Sequence, residues 1–322
     1  MGRARSPSIS VFLPSNLLKQ SSAQYKARLP DLNPGARNMP KHHFDVIVFP
    51  GGGNRCWWQA GLVSSLQKSD WTMPNSIIGC SAGAAVGAAL VTKTTEAALE
   101  ACNELYRDNL RMIRWAFDKG LPRLEFAQSN IYPKWLRRFI GEREFLALKQ
   151  KSFKVSVARL DPSYGLNRTV FRALIRYLLS RDLPKDRENS QRSRPIRGLL
   201  PELLDLSACS ALSHTLGSLE ATAAAAPFLP GKTLNGNIYF DGGYLRSDPT
   251  DHQTSRQHEQ RSLTLLTKYH KDRPAIFQTK GNTFIQPSQP IPVSTWGCTK
   301  TTDVNAAFVL GQQDAEAIRP WI

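Results

Sequence analysis

Several features that would identify a secreted, metal-binding or membrane-spanning protein are missing from this sequence or scarce in it. The five cysteines are scattered, odd in number and without a Cys-x-x-Cys pair, which argues against a disulfide framework and against a zinc site. Near the centre, the longest run without charge or strong polarity is residues 82–91, about half of the ~20 residues that a membrane-spanning helix needs. We therefore expect a protein of a reducing compartment that does not cross a bilayer by itself.

Acidic residues are the other scarcity. The chain has 26 Asp and Glu against 42 Lys and Arg, which gives a formal charge of +16. A basic surface concentrates anions such as phospholipid headgroups or nucleic acid. On charge alone, lipid and nucleic acid are both candidate partners.

The composition fits a globular protein. The chain has 322 residues, 41% of them apolar, and can bury the core of one large α/β domain or two smaller ones. Residues 1–43 differ, because they are rich in Ser, Pro and basic residues and contain a single acid, Asp31. This composition resembles an organelle transit peptide, but we favour a disordered tail, or a start codon assigned too early with Met39 as the true start. We predict one domain over residues 44–322.

Two successive strand–loop–helix units begin the predicted domain. Residues 44–49 are β-branched and aromatic and end at a proline and three glycines, which predicts a buried strand, and residues 56–68 then have helical spacing. Residues 76–79 and 82–91 repeat the pattern. Because such units form a parallel sheet with helices on its faces, we predict the α/β fold class.

The rest of the domain is predicted more coarsely. Residues 94–117 are predicted to be helical throughout, and residues 131–140 form an aromatic, basic amphipathic helix. That helix either lies in a membrane interface or packs its apolar face on the core, and we favour the second interpretation. Residues 184–197 are polar and predict a solvated loop, with a lid as the alternative. Further predicted segments are strands at 153–158, 237–240, 262–267 and 283–286, and helices at 168–180, 206–227 and 303–318.

The first motif that carries chemistry is Gly79-Cys80-Ser81-Ala82-Gly83. It follows a predicted strand and opens a predicted helix, the context in which Gly-x-Ser-x-Gly forms a nucleophile elbow. The turn strains the backbone, and glycine neighbours let the serine hydroxyl stand clear at the carboxyl end of the strand. Ser81 is therefore a candidate nucleophile.

The second motif is the glycine loop at residues 50–55, Pro-Gly-Gly-Gly-Asn-Arg. It leaves the first strand just before a helix, so its backbone N–H groups can stabilise the oxyanion that forms when an ester carbonyl is attacked. A dinucleotide-binding loop is excluded by spacing, because Gly-x-Gly-x-x-Gly would require glycine where Cys56 stands. A phosphate-binding P-loop is excluded because Gly-Lys-Ser/Thr is absent.

The third motif is Asp241-Gly242-Gly243, at the end of a predicted strand. A serine hydroxyl is a poor nucleophile until a base takes its proton. A carboxylate beside Ser81 would supply that base, although in isolation Asp-Gly-Gly is more often a simple turn.

In this order, the three motifs resemble those of the patatin-like phospholipase family, over roughly residues 44–250. The resemblance implies a three-layer α/β/α sandwich with a mostly parallel central sheet and a catalytic dyad of Ser81 and Asp241. It implies neither a metal site nor a cofactor, and it departs from the family pattern at Pro50 and Cys56, where the family often has Asp and Gly. The other site residues that it implies are Gly52, Gly53 and Asn54 as oxyanion donors, Gly51 and Arg55 as support of the oxyanion loop, and Gly79, Gly83, Gly242 and Gly243 as elbow and Asp-loop glycines.

By this resemblance the chain is expected to hydrolyse fatty acyl esters of membrane phospholipids through an acyl-enzyme. Neutral glycerides and acyl thioesters present the same carbonyl, so a hydrolase or transacylase acting on them is the nearest alternative. A Ser-His-Asp triad with His252, His258 or His270 as base is another alternative. A non-catalytic protein that binds membranes or nucleic acid is the last, and we expect no nucleic-acid partner, since no recognised module is present. We expect a cytoplasmic protein at the membrane surface, with organelle targeting by residues 1–43 less favoured.

Overall fold

The computed structural model describes residues 44–118, 121–181, 196–226, 229–245, 261–279 and 282–322. Its strands are β1 (Val46–Phe49), β2 (Ser76–Cys80), β3 (Ile113–Asp118), β4 (Leu121–Phe126), β5 (Ser152–Leu160), β6 (Leu199–Asp205), β7 (Lys232–Leu234), β8 (Asn237–Asp241), β9 (Ser262–Leu265), β10 (Ile276–Thr279) and β11 (Asn282–Ile285). Its helices are α1 (Cys56–Gln67), α2 (Ala82–Thr92), α3 (Thr95–Arg107), α4 (Gln128–Phe139), α5 (Glu142–Lys149), α6 (Leu166–Arg181), α7 (Leu212–Thr222) and α8 (Val304–Ile318).

Nine of the described strands form one sheet in the order β10-β11-β9-β1-β2-β5-β8-β7, with β6 paired to β5. The five strands from β11 to β5 are parallel, whereas β10, β6, β8 and β7 each run antiparallel to the strand they join. Helices flank this mostly parallel sheet, and the predicted three-layer α/β/α class is confirmed.

The central strands are apolar without alternation because both of their faces are covered. In β1, Ile47 and Phe49 belong to the large core cluster, while Val46 and Val48 pack with Ile78 in a smaller cluster. All four β1 side chains are fully or almost fully buried. The sheet is therefore a rigid platform, and functional residues at its strand ends are held by core packing.

The prediction of a continuous helix over residues 94–117 was wrong beyond Arg107. Helix α3 ends there, and β3 and β4 form a separate antiparallel hairpin. The alternation of Ile113, Arg114 and Trp115 is the period of a strand, and this local pattern prevailed over the helical spacing upstream.

The prediction of a helix over residues 206–227 was too long, since α7 covers only Leu212–Thr222. Strand β6, just before it, was not predicted. Among the described helices, none is long and apolar enough to cross a membrane. The predicted tail at residues 1–43 and residues 184–195 of the polar segment lie outside the described residues.

The closing helix α8 packs mainly on α1. The buried carboxylate of Asp314 in α8 accepts hydrogen bonds from Trp58 Nε1 at 2.7 Å and from the Ser288 amide at 3.0 Å. Burial raises the pKa of Asp314 to about 6, although these hydrogen bonds act to lower it. This carboxylate thus links α1, α8 and the segment after β11.

We expect Asp314→Asn to flatten the pH dependence of stability. The ordinary pKa of the carboxyl is 3.8 and the folded value is about 6, so between them the folded chain binds more protons than the unfolded chain. The contribution of Asp314 to the free energy of unfolding therefore falls as pH rises through this window, by about 3 kcal/mol at most. Thermal unfolding across the window measures it, with Asp272→Asn on the surface as the control. Parallel curves for wild type and Asp314→Asn would contradict the assignment.

Candidate active site

Ser81 lies on the sharp turn between β2 and α2. Its φ of 55° and ψ of −137° are strained for a residue with a side chain. Helix α2 begins so close to the sheet that a Cβ on Gly79 would lie 2.4 Å from Ala84 Cα, and one on Gly83 would lie 2.5 Å from the carbonyl oxygens of Phe49 and Pro50. The two glycines of the predicted elbow therefore permit the turn that holds Ser81 up from the sheet.

Asp241 ends β8, next to the nucleophile turn. Cys80 pairs with Ser156 and Asp241 pairs with Val157, so the ends of β2 and β8 meet at consecutive residues of β5. A Cβ on Gly242 would lie 2.4 Å from the Ser156 carbonyl oxygen, which makes glycine necessary for this approach. The register of two distant strands thus brings together the two predicted catalytic residues.

The Asp241 carboxylate is buried and receives several donors. Oδ1 accepts the Gly243 amide at 2.8 Å and the Cys80 thiol at 3.6 Å, which places the carboxylate directly beside the Ser81 turn. Burial raises the pKa of Asp241 above its usual value, while the Ser81 hydroxyl and the hydrogen bonds from Gly243 and Cys80 act to lower it. A carboxylate with a raised pKa beside a hydroxyl is suited to accept the hydroxyl proton.

The glycine loop packs directly against Ser81. A Cβ on Gly51 would lie 3.0 Å from Ser81 Cβ, and the Gly51 carbonyl accepts the Thr267 hydroxyl at 2.9 Å. Gly53 has a φ of +56°, and a Cβ there would lie 2.2 Å from the Thr295 carbonyl oxygen. The amide and Nε of Arg55 both donate to the Gly52 carbonyl, at 3.2 and 3.4 Å. Arg55 therefore braces the loop.

Asn54 is tied into the protein at both its backbone and its side chain. Its amide donates to the Thr295 carbonyl at 3.2 Å, and Nδ2 donates to the carbonyls of Ser294 and Gly297. Its Oδ1 accepts the Tyr106 hydroxyl at 2.7 Å. Because the amide already has an acceptor, Gly52 and Gly53 are better candidates than Asn54 for holding an oxyanion.

Thr222 is a site residue that the sequence did not indicate. Its fully buried hydroxyl accepts the Ser81 amide at 3.0 Å and donates to the Ser156 carbonyl at 2.5 Å. It therefore connects the nucleophile turn to β5, next to the residue that pairs with Asp241. No local motif marks a threonine at the end of a small-residue helix, so this contact follows from the tertiary packing alone.

A pocket of about 590 Å³, including its open mouth, extends from Ser81. Most of its wall is apolar or aromatic and comes from α1, α2, α4 and the segment before α8, including Trp57, Val86, Ile131, Trp135 and Trp296. The rings of Trp57 and Trp135 meet edge to face with centroids 5.7 Å apart. The wall contains no Lys or Arg among the described residues, so the pocket suits an uncharged chain.

Helix α4 supplies much of this wall. Its apolar residues, Tyr132, Trp135, Leu136 and Phe139 among them, are buried in the main core. Arg137 and Arg138 lie on the outer side and pair with Glu220 and Glu104. Of the two interpretations of this helix, packing on the core is confirmed, and its apolar face is not available to a membrane interface.

The described part of the chain gives little support to a histidine base or to a metal site. No described histidine lines the pocket, and His252 and His258 lie outside the described residues. His270 is held at its backbone by Gln286. No group of three or more His, Cys, Asp or Glu in the described ranges could hold a metal ion.

Serine hydrolases built on α/β sheets place the nucleophile on a turn of this kind, at the carboxyl end of a strand. This chain combines that sheet with that turn. Residues 47–252 match the family model described as Patatin-like phospholipase, and the match spans more than half of the chain. The chain belongs to the patatin-like phospholipase family, a family of lipid acyl hydrolases. No individual curated protein matches it.

We expect Cys80→Ala to move the acid limb of the pH–rate profile to higher pH. The thiol donates to Asp241 Oδ1, and a hydrogen bond to the charged form lowers the pKa of a carboxyl. A base works only when deprotonated, so activity falls as pH drops through its pKa, and a higher pKa moves this fall upward. On the plateau, activity should change less than about fivefold because Ser81 and Asp241 remain. Cys80→Ser retains a donor and should stay closer to wild type, whereas an unshifted limb in Cys80→Ala would refute the coupling.

Proposed function

We propose that this protein hydrolyses fatty acyl esters of membrane phospholipids with a Ser81–Asp241 dyad. The observation that carries the proposal is that the ends of β2 and β8 place the buried Asp241 carboxylate beside the Ser81 turn, where Cys80 donates to Asp241 at 3.6 Å, and that Ser81 lines an apolar pocket. A hydroxyl, a carboxylate suited to accept its proton and a pocket with an apolar wall then lie together.

In the first step, Asp241 accepts the proton of Ser81 as the serine oxygen attacks the acyl carbonyl. The carbonyl oxygen becomes an oxyanion, which the amides of Gly52 and Gly53 are suited to stabilise, a contribution of roughly 3–4 kcal/mol for one such donor in other serine hydrolases. Asp241 then gives its proton to the leaving alcohol, the ester bond breaks and the acyl-enzyme remains.

In the second step, Asp241 takes a proton from water, and the hydroxide attacks the acyl-enzyme carbonyl. Collapse of the second tetrahedral intermediate breaks the bond to the Ser81 oxygen, which recovers its proton from Asp241. The fatty acid leaves and the dyad is restored. Desolvation favours this cycle, because it raises the proton affinity of the Asp241 carboxylate.

The charge distribution supports a phospholipid as the substrate. The pocket wall is largely apolar and suits the acyl chain, while the whole chain has a formal charge of +16. A cationic surface attracts the anionic headgroups of a membrane leaflet. The enzyme would therefore work as a peripheral protein at the cytoplasmic membrane surface.

The test is release of fatty acid, measured by mass spectrometry, from phosphatidylglycerol vesicles, a triacylglycerol emulsion and acyl-CoA. We expect the fastest release of fatty acid from the anionic vesicles. Faster release from the emulsion or from acyl-CoA would assign the same dyad to neutral lipids or thioesters. No release from any substrate, together with retained vesicle binding, would indicate a non-catalytic membrane protein and refute the proposal.

A further inference from the structure

The β3–β4 hairpin presents apolar side chains to solvent. In an antiparallel pair, residues directly opposite each other point to the same side. Trp115 lies opposite Leu124 and Arg114 lies opposite Glu125, so the hairpin has an apolar side and a charged side. The residues that we call the hairpin face are 44% to 67% exposed: Ile113, Trp115 and Leu124.

The hairpin face is exposed although hydrogen bonds hold the hairpin to the rest of the protein. On the charged side, Arg114 Nε donates to Glu125 at 2.9 Å, and Asn130 Nδ2 in α4 donates to the same carboxylate at 2.8 Å. The amide of Ala127 donates to the Met112 carbonyl at 2.9 Å. The hairpin is thus fixed to the protein with its apolar side outward. Apolar side chains that neighbour each other on one side of a ribbon and are held outward are typical of a contact surface.

The hairpin rises directly from the wall of the pocket. It connects the last turn of α3 to the first residue of α4, where Tyr106 and Gln128 both line the pocket. Gln128 Nε2 donates to the Tyr106 hydroxyl at 2.9 Å, which joins the two ends of the connection. Whatever binds the hairpin face is therefore brought beside the pocket that contains Ser81.

The chemistry of the hairpin fits a lipid surface. Tryptophan favours the boundary between headgroups and acyl chains, and arginine is attracted to anionic headgroups. Residues 107–126 contain five Lys and Arg against three acids, and Arg107 and Arg111 are exposed beside the hairpin face. One side of a two-stranded ribbon is also narrow compared with the roughly 800 Å² per partner of a standard protein interface.

We propose that the hairpin face inserts into the headgroup region of an anionic phospholipid bilayer and so holds the pocket at the lipid. This inference rests on the proposed function, because docking at the bilayer serves to bring the acyl chain of a lipid to Ser81. It does not rest on the α4 helix, whose apolar side is buried.

The test is flotation of the full chain with vesicles of phosphatidylglycerol and phosphatidylcholine. Trp115→Ala combined with Leu124→Ala is expected to lower vesicle binding about tenfold or more, because the inserted apolar area is lost. Trp115→Phe should retain most of the binding. The matched control is Phe171→Ala, since Phe171 is 62% exposed on α6, where Val170 and Ala173 pack in a different hydrophobic cluster. Equal binding by wild type and the double variant would overturn the proposal, as would wild type that does not bind these vesicles.

A soluble ester, p-nitrophenyl butyrate, separates this proposal from the proposed function. The double variant should hydrolyse it within about twofold of wild type, since the dyad is untouched, but should release less fatty acid from vesicles. If wild type binds vesicles through the hairpin face but cleaves no ester, the docking proposal stands and the proposed function fails. If wild type cleaves the ester and the double variant still binds vesicles, the docking proposal fails and the proposed function stands. Light scattering that finds a wild-type dimer and a monomeric double variant would assign the face to a second copy and overturn the lipid proposal.

Discussion

Ser81→Ala is expected to reduce fatty acid release by about a thousandfold or more. The hydroxyl oxygen forms the bond to the acyl carbon, and neither the glycine loop nor the pocket can replace a nucleophile; removing the nucleophile of other serine hydrolases has effects of this size or larger. The measurement is mass spectrometry of free fatty acid from phosphatidylglycerol vesicles. Ser64→Ala on α1 is the matched control and should retain full activity.

Ser81→Gly separates loss of the hydroxyl from loss of the fold. The φ of 55° and ψ of −137° at this position are strained for serine and alanine but accessible to glycine. We expect Ser81→Gly to be as inactive as Ser81→Ala and more stable than wild type by roughly 1 kcal/mol. A glycine variant that retains activity would exclude Ser81 as the nucleophile. A glycine variant that unfolds at a lower temperature than wild type would contradict the strain at the turn.

Asp241→Asn should have the second large effect, again about a thousandfold or more on fatty acid release. The Asn side chain has the size of the Asp carboxylate, and its oxygen can still accept the backbone N–H of Gly243, so the loop should keep its shape. The neutral Asn side chain cannot accept the Ser81 proton, because it is not a base near neutral pH. The fold should tolerate the change, since the substitution removes a buried charge.

Alanine variants of His252, His258 and His270 decide between the dyad and a triad, because the Asp of a triad also loses its function when it becomes Asn. Activity that disappears in one of these histidine variants would refute the dyad. If Asp241→Asn retained full activity, the base would be another residue. Under the dyad, all three histidine variants should act on soluble esters within about threefold of wild type.

The motifs of the site could be predicted from the sequence because each meets a local requirement of the backbone. The turn at Ser81 needs neighbours without side chains at Gly79 and Gly83, and the loop beside it needs a residue that tolerates positive φ at Gly53. These backbone requirements select glycine at fixed positions near the reactive residue. A short stretch of sequence is therefore enough to recognise each motif.

The residues that support the motifs could not be predicted in this way. Thr222 is 141 positions from the Ser81 amide that it accepts, and the carbonyls that hold Asn54 are more than 200 positions away. A single threonine or a carbonyl group has no distinctive local pattern. Their roles exist only when the strands and helices pack.

The hairpin illustrates the opposite case, in which a local pattern was present but ambiguous. The helical spacing of residues 94–106 extends to Leu110, whereas Ile113 and Trp115 already alternate as in a strand. The structure ends the helix at Arg107 and leaves Leu110 and Trp115 among the most exposed large apolar side chains. Periodicity identifies which side chains share a side, but it does not say whether that side is covered.

By itself, the sequence determined the α/β class and the position of the nucleophile turn, because strand propensity and glycine placement act over a few residues. It indicated Asp241 as the acidic partner only through the resemblance to a family. Only the tertiary structure decided that Asp241 lies beside the Ser81 turn, that α4 lines the pocket and that the hairpin face stays open to solvent. The reason is physical: local backbone preferences depend on neighbours in sequence, whereas burial and contact depend on which surfaces meet when the whole sheet and its helices assemble.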